Sequence, residues 1–173
     1  MIGKNIVHRV KLALTNLQVM ARADVLIERN VTIKYPGHIE FGAHVTLQSG
    51  VYLYGSRTGR RVRLGDGVVL AANVMVLGEG GVDLGDHTHL GPGVVCTTQY
   101  GDSRGEMATG SPGIKTLPIS VGRGCWIGSG AVLMPGTKLG DGSVVAPNSV
   151  VYGSFGAGVK LSGSPARRER VLS

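Results

Sequence analysis

The sequence predicts an all-β protein, a parallel β-helix of hexapeptide repeats forming one domain over residues 1–173. The first reason is the stretch Val121–Phe155. There a branched apolar residue returns every six positions, at Val121, Ile127, Leu133, Leu139, Val145 and Val151. The second is what accompanies it. The fourth place of each hexad is Gly124, Gly130, Gly136, Gly142, Asn148 and then Ser154, and the fifth is small or hydroxylated until Phe155. The third is composition. Glycine makes up 29 of 173 residues while aromatics are only 5 %, which suits a thin tube lined by Val, Leu and Ile rather than a broad layered core. The apolar first residue points into the tube. The fourth takes the corner, where positive φ favours Gly and then Asn. Three hexads close one triangular coil, and coils stack about 4.8 Å apart, burying a core that no single coil could bury.

Residues 2–22 have a different rhythm. Ile2, Ile6, Val10, Leu14 and Leu17 mark one face of an amphipathic helix, with Lys4, His8, Arg9, Lys11 and Arg22 around it. Two roles fit: a cap over the open end of the tube, or a basic helix on an anionic membrane surface. The coiled region is expected over residues 27–156. Its first part carries looser hexads led by Ile33, Ile39, Val45 and Val51, with Gly42 as a corner residue and Tyr35, Tyr52 and Tyr54 as surface or end-of-tube aromatics. Residues 57–63 break the period with Arg57, Arg60, Arg61 and Arg63, either a solvated turn or a contact for phosphate or an acidic glycan. The period resumes at Leu64, Leu70, a stretched hexad at Val76, Leu84 and Leu90, and reaches Cys96. From Cys96 to Val121 there are 25 residues where one hexad would give six. Residues 97–117 therefore form one extruded loop, and such loops in regular solenoids carry function. Residues 157–173 are expected to run on as a C-terminal tail.

Composition narrows the function. Cys96 and Cys125 are the only cysteines and show no CxxC spacing, so no metal cage or disulfide framework is expected. A net charge of +7 permits anionic partners. Zinc-finger spacing, RNP-like aromatics and long basic runs are lacking, and nucleic acid is not an expected partner. The sequence has no 18-residue apolar run and no signal-like apolar region, which points to the cytoplasm, with peripheral contact at the inner face of a membrane open to residues 2–22.

Residues 118–170 carry a Pro-Ile before the coil, Trp126 in GCWIGSGA, the Pro135-Gly136 corner and a closing Gly163-Ser164-Pro165-Ala166-Arg167. With the extruded loop, they resemble the hexapeptide-repeat acetyltransferases, most of all the galactoside, maltose and polysaccharide O-acetyltransferase group. The resemblance covers roughly residues 64–170. It implies left-handed coiling, against the usual right-handed crossover, a homotrimer, acetyl-CoA as acyl donor, a sugar or glycan acceptor, and an active site between adjacent subunits.

Acetyl transfer to a hydroxyl needs a proton acceptor, oxyanion donors and a groove for the CoA arm. The family's base is a His at the start of the extruded loop, where this chain has Thr97-Thr98-Gln99-Tyr100-Gly101-Asp102 and no histidine beyond His89. His89, Gln99, Tyr100 and Asp102 are the candidates for catalysis, with Glu106 as a further carboxylate. The resemblance places Asn73, Glu79, Arg104, Glu106 and Met107 at the acceptor, and Trp126, the only tryptophan, points outward at its sixth place as a ligand or trimer-interface contact. It places Ser129, Ala146, Tyr152, Gly153, Arg167 and Arg170 along CoA, with Lys160 or Arg168 compensating for a missing phosphate contact. The expected function is acetyl-CoA-dependent O-acetylation of a sugar or polysaccharide precursor. Two alternatives stay open: a catalytically impaired trimeric scaffold that binds a nucleotide or sugar, and an amino-sugar N-acetyltransferase.

Overall fold

The computed structural model describes residues 24–102 and 113–169. The expected helix over 2–22, and Arg104, Glu106, Met107 and Arg170, lie outside the described residues. The fold is the left-handed parallel β-helix, of about six turns. Strands of mostly two or three residues build three flat faces. The first face stacks, among others, His89–Leu90, Trp126–Ile127 and Val144–Val145; the second stacks Tyr52–Tyr54, Met75–Leu77 and Val95–Thr97; the third stacks Val62–Leu64, Val82–Leu84 and Ile119–Val121. All pairing along the tube is parallel and in register, so like residues stack: Leu47 on Leu70 on Leu90 on Ile127 on Val145 on Leu161.

The hexad places sort by burial. First-place residues such as Leu64, Leu70, Leu84, Leu90, Ile127 and Leu133 are fully buried. Fifth-place residues also face inward: Val68, Val74 and Val94 in the middle coils, then Ala131, Thr137, Ser143 and Ser149. The hydroxyls are tolerated because they donate to corner carbonyls, Ser143 Oγ to Gly140 O at 2.7 Å and Thr137 Oγ1 to Val151 O at 3.0 Å. The fourth place takes the left-handed backbone. Gly130 has φ +69°, and a Cβ there would lie 2.4 Å from Asn148 Oδ1 of the next coil. Asn73 and Asn148 adopt the same conformation, with φ 59° and 57°.

Two expectations need correction. Hexads were read as led by Ile39, Val45 and Val51, but strand register pairs Phe41 with Leu64, Leu47 with Leu70 and Leu53 with Val76. Val45 and Val51 are buried fifth-place residues instead. A two-residue lengthening around the short helical turn Pro36–His38 shifts the frame, and large apolar residues at both inward places make the two frames look alike in sequence. The stretch from 157 is not a plain tail. Lys160–Gly163 adds a further strand to the first face, and Ala166–Arg168 folds back antiparallel on it.

The coils are interrupted, and always at one edge. Ile33 to Phe41, Leu53 to Leu64, Val76 to Leu84 and Cys96 to Val121 all exceed the six residues of a plain hexad. Each of these connections runs from the second face to the third. The last is the extruded segment. It is a two-stranded hairpin, Gln99–Asp102 against Gly113–Thr116, rather than an irregular loop.

Candidate functional site

The interrupted edge gathers polar groups that the regular coils do not hold. Glu79, in the lengthened corner after Met75–Leu77, is buried at 5 % exposure. Its Oε2 accepts the backbone N–H of Arg57 at 3.2 Å and lies 3.5 Å from Arg57 Nε. Its Oε1 is buried without a hydrogen-bond partner. One coil further on, Thr98 is fully buried at the hairpin root. Its hydroxyl donates to Leu77 O at 2.7 Å and accepts Gly80 N–H at 2.9 Å. The hairpin is thereby pinned to the corner that carries Glu79. On the other side of Glu79, Tyr35 meets Tyr54 edge to face with ring centroids 5.1 Å apart. Partial burial holds the Tyr54 phenol above its ordinary pKa, against the opposing pull of Arg57.

Gln99 and Tyr100 stand at the start of the hairpin on this edge, paired with Thr116 and Lys115. Thr97 Oγ1 donates to Gln99 O at 3.3 Å, and Tyr100 is 38 % exposed. Asp102 closes the described part of the strand opposite Gly113. Tyr152, exposed, and Gly153, with φ +101°, occupy the same edge three coils below Glu79's neighbours, between Val150–Val151 and Ser154–Phe155.

The remaining candidates lie elsewhere. His89 is on the first face, stacked on Trp126 with ring centroids 4.3 Å apart and planes 5° from parallel. Burial lowers the His89 pKa, favouring neutral imidazole. Trp126 points outward and is 52 % exposed. Within one chain, neither touches the hairpin edge. Asn73, Ser129 and Ala146 sit at the corner between first and second faces. Asn73 lays its Oδ1 2.2 Å from where a Gly50 side chain would begin. Ser129 is exposed between Gly128 and Gly130, and its carbonyl accepts Asn148 N–H at 2.9 Å. Small residues at this corner let an extended ligand approach the backbone. Lys160 is already paired with Glu169 at 2.8 Å, and that bond holds the Glu169 carboxyl below its usual range. Arg167 is exposed, with one Nη1 bond to Ala166 O at 3.2 Å.

The candidates therefore fall into two groups on different edges. One edge carries Glu79, Gln99, Tyr100, Asp102, Tyr152 and Gly153. The other side carries Asn73, His89, Trp126, Ser129, Ala146, Lys160 and Arg167. Tyr54 and Thr98 were not singled out from sequence as parts of this site, and Arg57 was read as a solvated turn or a contact for phosphate or an acidic glycan. The signal for them was the spacing: from Ile33 to Val121 every third hexad is the lengthened one, so the extra residues must stack along one edge.

The outward columns of the three faces differ as sharply. The third face presents Glu40, Arg63, Asp83, Ser120, Lys138 and Ser154, with Arg63 paired to Asp83 at 3.1 Å. The second presents Tyr52, Met75, Val95, Val132 and Val150. The first presents Leu26, Thr46, Val69, His89, Trp126, Val144 and Lys160. Two faces are mostly apolar outside along their middle coils, and the third is ionic.

Comparison with known proteins places these features among relatives. Family models match at residues 118–153, described as bacterial transferase hexapeptide (six repeats), and at residues 55–77, described as the hexapeptide repeat of succinyl-transferase. The chain is 33 % identical over 144 residues to WbbJ of Escherichia coli (strain K12), a candidate lipopolysaccharide biosynthesis O-acetyl transferase, covering 78 % of this chain and 72 % of that protein. It is 29 % identical over 150 residues to WcaF of the same organism, a candidate colanic acid biosynthesis acetyltransferase, covering 86 % and 68 %. Among solved structures, AntD, an N-acyltransferase from Bacillus cereus in complex with dTDP and 3-hydroxybutyryl-CoA, superposes with a TM-score of 0.75 at 23 % identity, covering 85 % of this chain and 79 % of that one.

Proposed function

Because the chain belongs to the hexapeptide-repeat acetyltransferases, we propose that it O-acetylates a sugar or polysaccharide precursor from acetyl-CoA, in a cleft between subunits of a homotrimer. Transferase activity on sugars or polysaccharides follows from the relatives. The observation that carries the finer reading is the separation of the candidates onto two edges. A hexad of extended chain measures roughly 20 Å, whereas groups acting on one carbonyl must lie within about 3 Å of the reacting atoms. One chain cannot bring both edges to one point, and a neighbouring copy can. The apolar first and second faces support this. An interface using two different patches of the same chain is heterologous, and such interfaces close into rings.

In this reading the Ser129–Ala146 corner of one subunit, with Arg167, receives the donor, and Asn73 and Trp126 on the same side border the acceptor. The Glu79–hairpin edge of the next receives the acceptor. The glycine-flanked Ser129 corner lets the pantetheine arm lie against backbone groups, and the exposed Arg167 offers guanidinium donors to phosphate. The acceptor oxygen forms its bond to the acetyl carbonyl carbon, the C–S bond breaks, and the hydroxyl proton ends on the released thiol. Glu79, buried behind this edge, would act through the Arg57 loop that its Oε2 holds, positioning that loop beside the acceptor. Positioning supplies much of the rate when both substrates are held this way.

The test is thiol release from acetyl-CoA across a panel of neutral, acidic and amino sugars. Release should depend on the acceptor and fall on changing Asn73 or the Gln99–Asp102 strand. If calorimetry detects no CoA binding, the transferase reading is lost. Release with amino sugars alone would move the acceptor from hydroxyl to amine.

A further inference from the structure

The loop joining Tyr52–Tyr54 to Val62–Leu64 is a built turn. Ser56 is fully buried, and its hydroxyl accepts the N–H groups of Thr58 at 3.0 Å and Arg60 at 3.2 Å. The same oxygen lies 3.0 Å from Thr58 Oγ1. The Arg57 N–H to Glu79 bond fixes the loop to the next coil. A cation on this loop is therefore held in place before any ligand arrives, which lowers the ordering cost of binding.

The basic residues here differ in what they already hold. Arg61 is bound to Glu40 at 2.6 Å, and Arg63 to Asp83 and Asp86 at 3.1 and 3.4 Å. Both belong to the ionic third face. Arg57 is 60 % exposed beyond its contact with Glu79. The exposed side chains of Arg60 and Lys34 have no carboxylate partner among the described residues. Lys34 precedes Tyr35 and stands in register with Tyr54. Tyr35 is itself 46 % exposed. The edge thus offers an aromatic surface flanked by three cations with spare donors, next to the buried Glu79 oxygen. Aromatic faces accept sugar rings, and guanidinium forks pair with phosphate or carboxylate oxygens.

From this arrangement we infer that Arg57, fixed from behind by Glu79, and Arg60 select acceptors bearing an anionic group, a phosphate ester or a carboxylate, beside the sugar ring held at Tyr35. The inference rests on the acceptor half of the proposed site and names its substrate class.

Calorimetry with glucose 1-phosphate, glucuronic acid and glucose on the full chain tests it. At least one charged sugar should bind about tenfold or more tighter than glucose, as a hydrogen bond to a charged group warrants. The two charged probes separate a phosphate from a carboxylate preference. The preference should vanish in the Arg57→Gln, Arg60→Gln double variant and weaken with salt. Arg61→Gln removes the same charge from a paired position and should leave it intact. Equal affinity for all three sugars, or a preference that survives the double variant, overturns the inference. Thiol release measured in parallel keeps the two readings apart. Anion preference without any release removes the transferase reading and leaves the subsite standing. Equal release from all three sugars, unchanged in the variants, removes the subsite alone.

Discussion

Thr98 shows how much one side chain holds in this molecule. Its buried hydroxyl serves one carbonyl and one N–H, and both belong to the coil before it. Thr98→Val keeps the shape and strands the buried Gly80 N–H, while Leu77 O keeps the Thr98 backbone N–H at 3.2 Å, so it should cost about 1–3 kcal/mol. Urea unfolding reads the loss, and a midpoint unchanged from wild type would show that the hairpin root is not pinned this way. The two thiols are a second case. Burial pushes Cys96 up to about 12 and raises Cys125 as well. Neither should react with a thiol reagent at pH 8 in the native protein, and both should react once it is denatured. Fast native labelling of either would contradict that burial. His89 gives a pH signature. Its folded pKa is depressed, so the unfolded chain binds the extra proton first. The stability it contributes is complete above the unfolded value of about 6.5 and is lost as pH falls below it toward the folded value. The slope of melting temperature against pH on the acid side should flatten in His89→Gln. Because Trp126, the only tryptophan, is stacked on this ring, its fluorescence should titrate with a midpoint below 6.5 and lose that step in the variant.

At the scale of elements, the hairpin is an appendage. Gln99–Asp102 and Gly113–Thr116 pair with each other and with no strand of the tube. Replacing residues 99–116 by a short glycine-serine link should leave the cooperative melt in place and abolish acetyl transfer. A collapse of the melt would mean that the tube depends on the hairpin. The strands also show what could be read from sequence. From Val121 to Val151 each hexad has one apolar leader and a small fifth residue, so the frame is unambiguous; Phe155, read as a fifth-place residue, is instead a leader stacked on Leu139 after a corner shortened to four residues. Between Ile39 and Val51 both inward places hold large aliphatic residues, and period six alone cannot tell leader from fifth. The closing strands after 156 were illegible for a similar reason. Lys160–Gly163 presents Leu161 alone inward, and its fold-back partner Ala166–Arg168 is basic outside.

At the scale of the whole molecule, the proposed trimer would form through the apolar outward columns. A charge on the apolar second face, as in Val132→Glu, should yield a folded monomer by sedimentation and remove activity. Ser120→Glu on the ionic third face should change neither. Assembly that survives Val132→Glu would place the interface elsewhere. The candidate site shows the limit of sequence reading most clearly. Hexad counting gives Glu79, Trp126 and Ser129 each a place within a coil. It does not say that Glu79 and Trp126 lie on different sides of the prism. That follows only from closing three hexads into a coil and locating the longer connections, after which the residues separate into halves that one chain cannot join.

The lengthened corners have a consequence beyond this ligand site. Each coil returns to the same register whatever the length of that one corner, since Leu53 stacks on Val76, and Leu64 on Leu84, across connections of unequal size. Gly59, with φ +86° and open space around it, marks the most permissive point. The molecule therefore has a margin that can be rewritten without renegotiating its interior. Peptides grafted at Gly59 should be carried without loss of the fold. On the proposed reading, the same margin would let acceptor preference drift over evolutionary time while the tube and the proposed donor corner stay fixed.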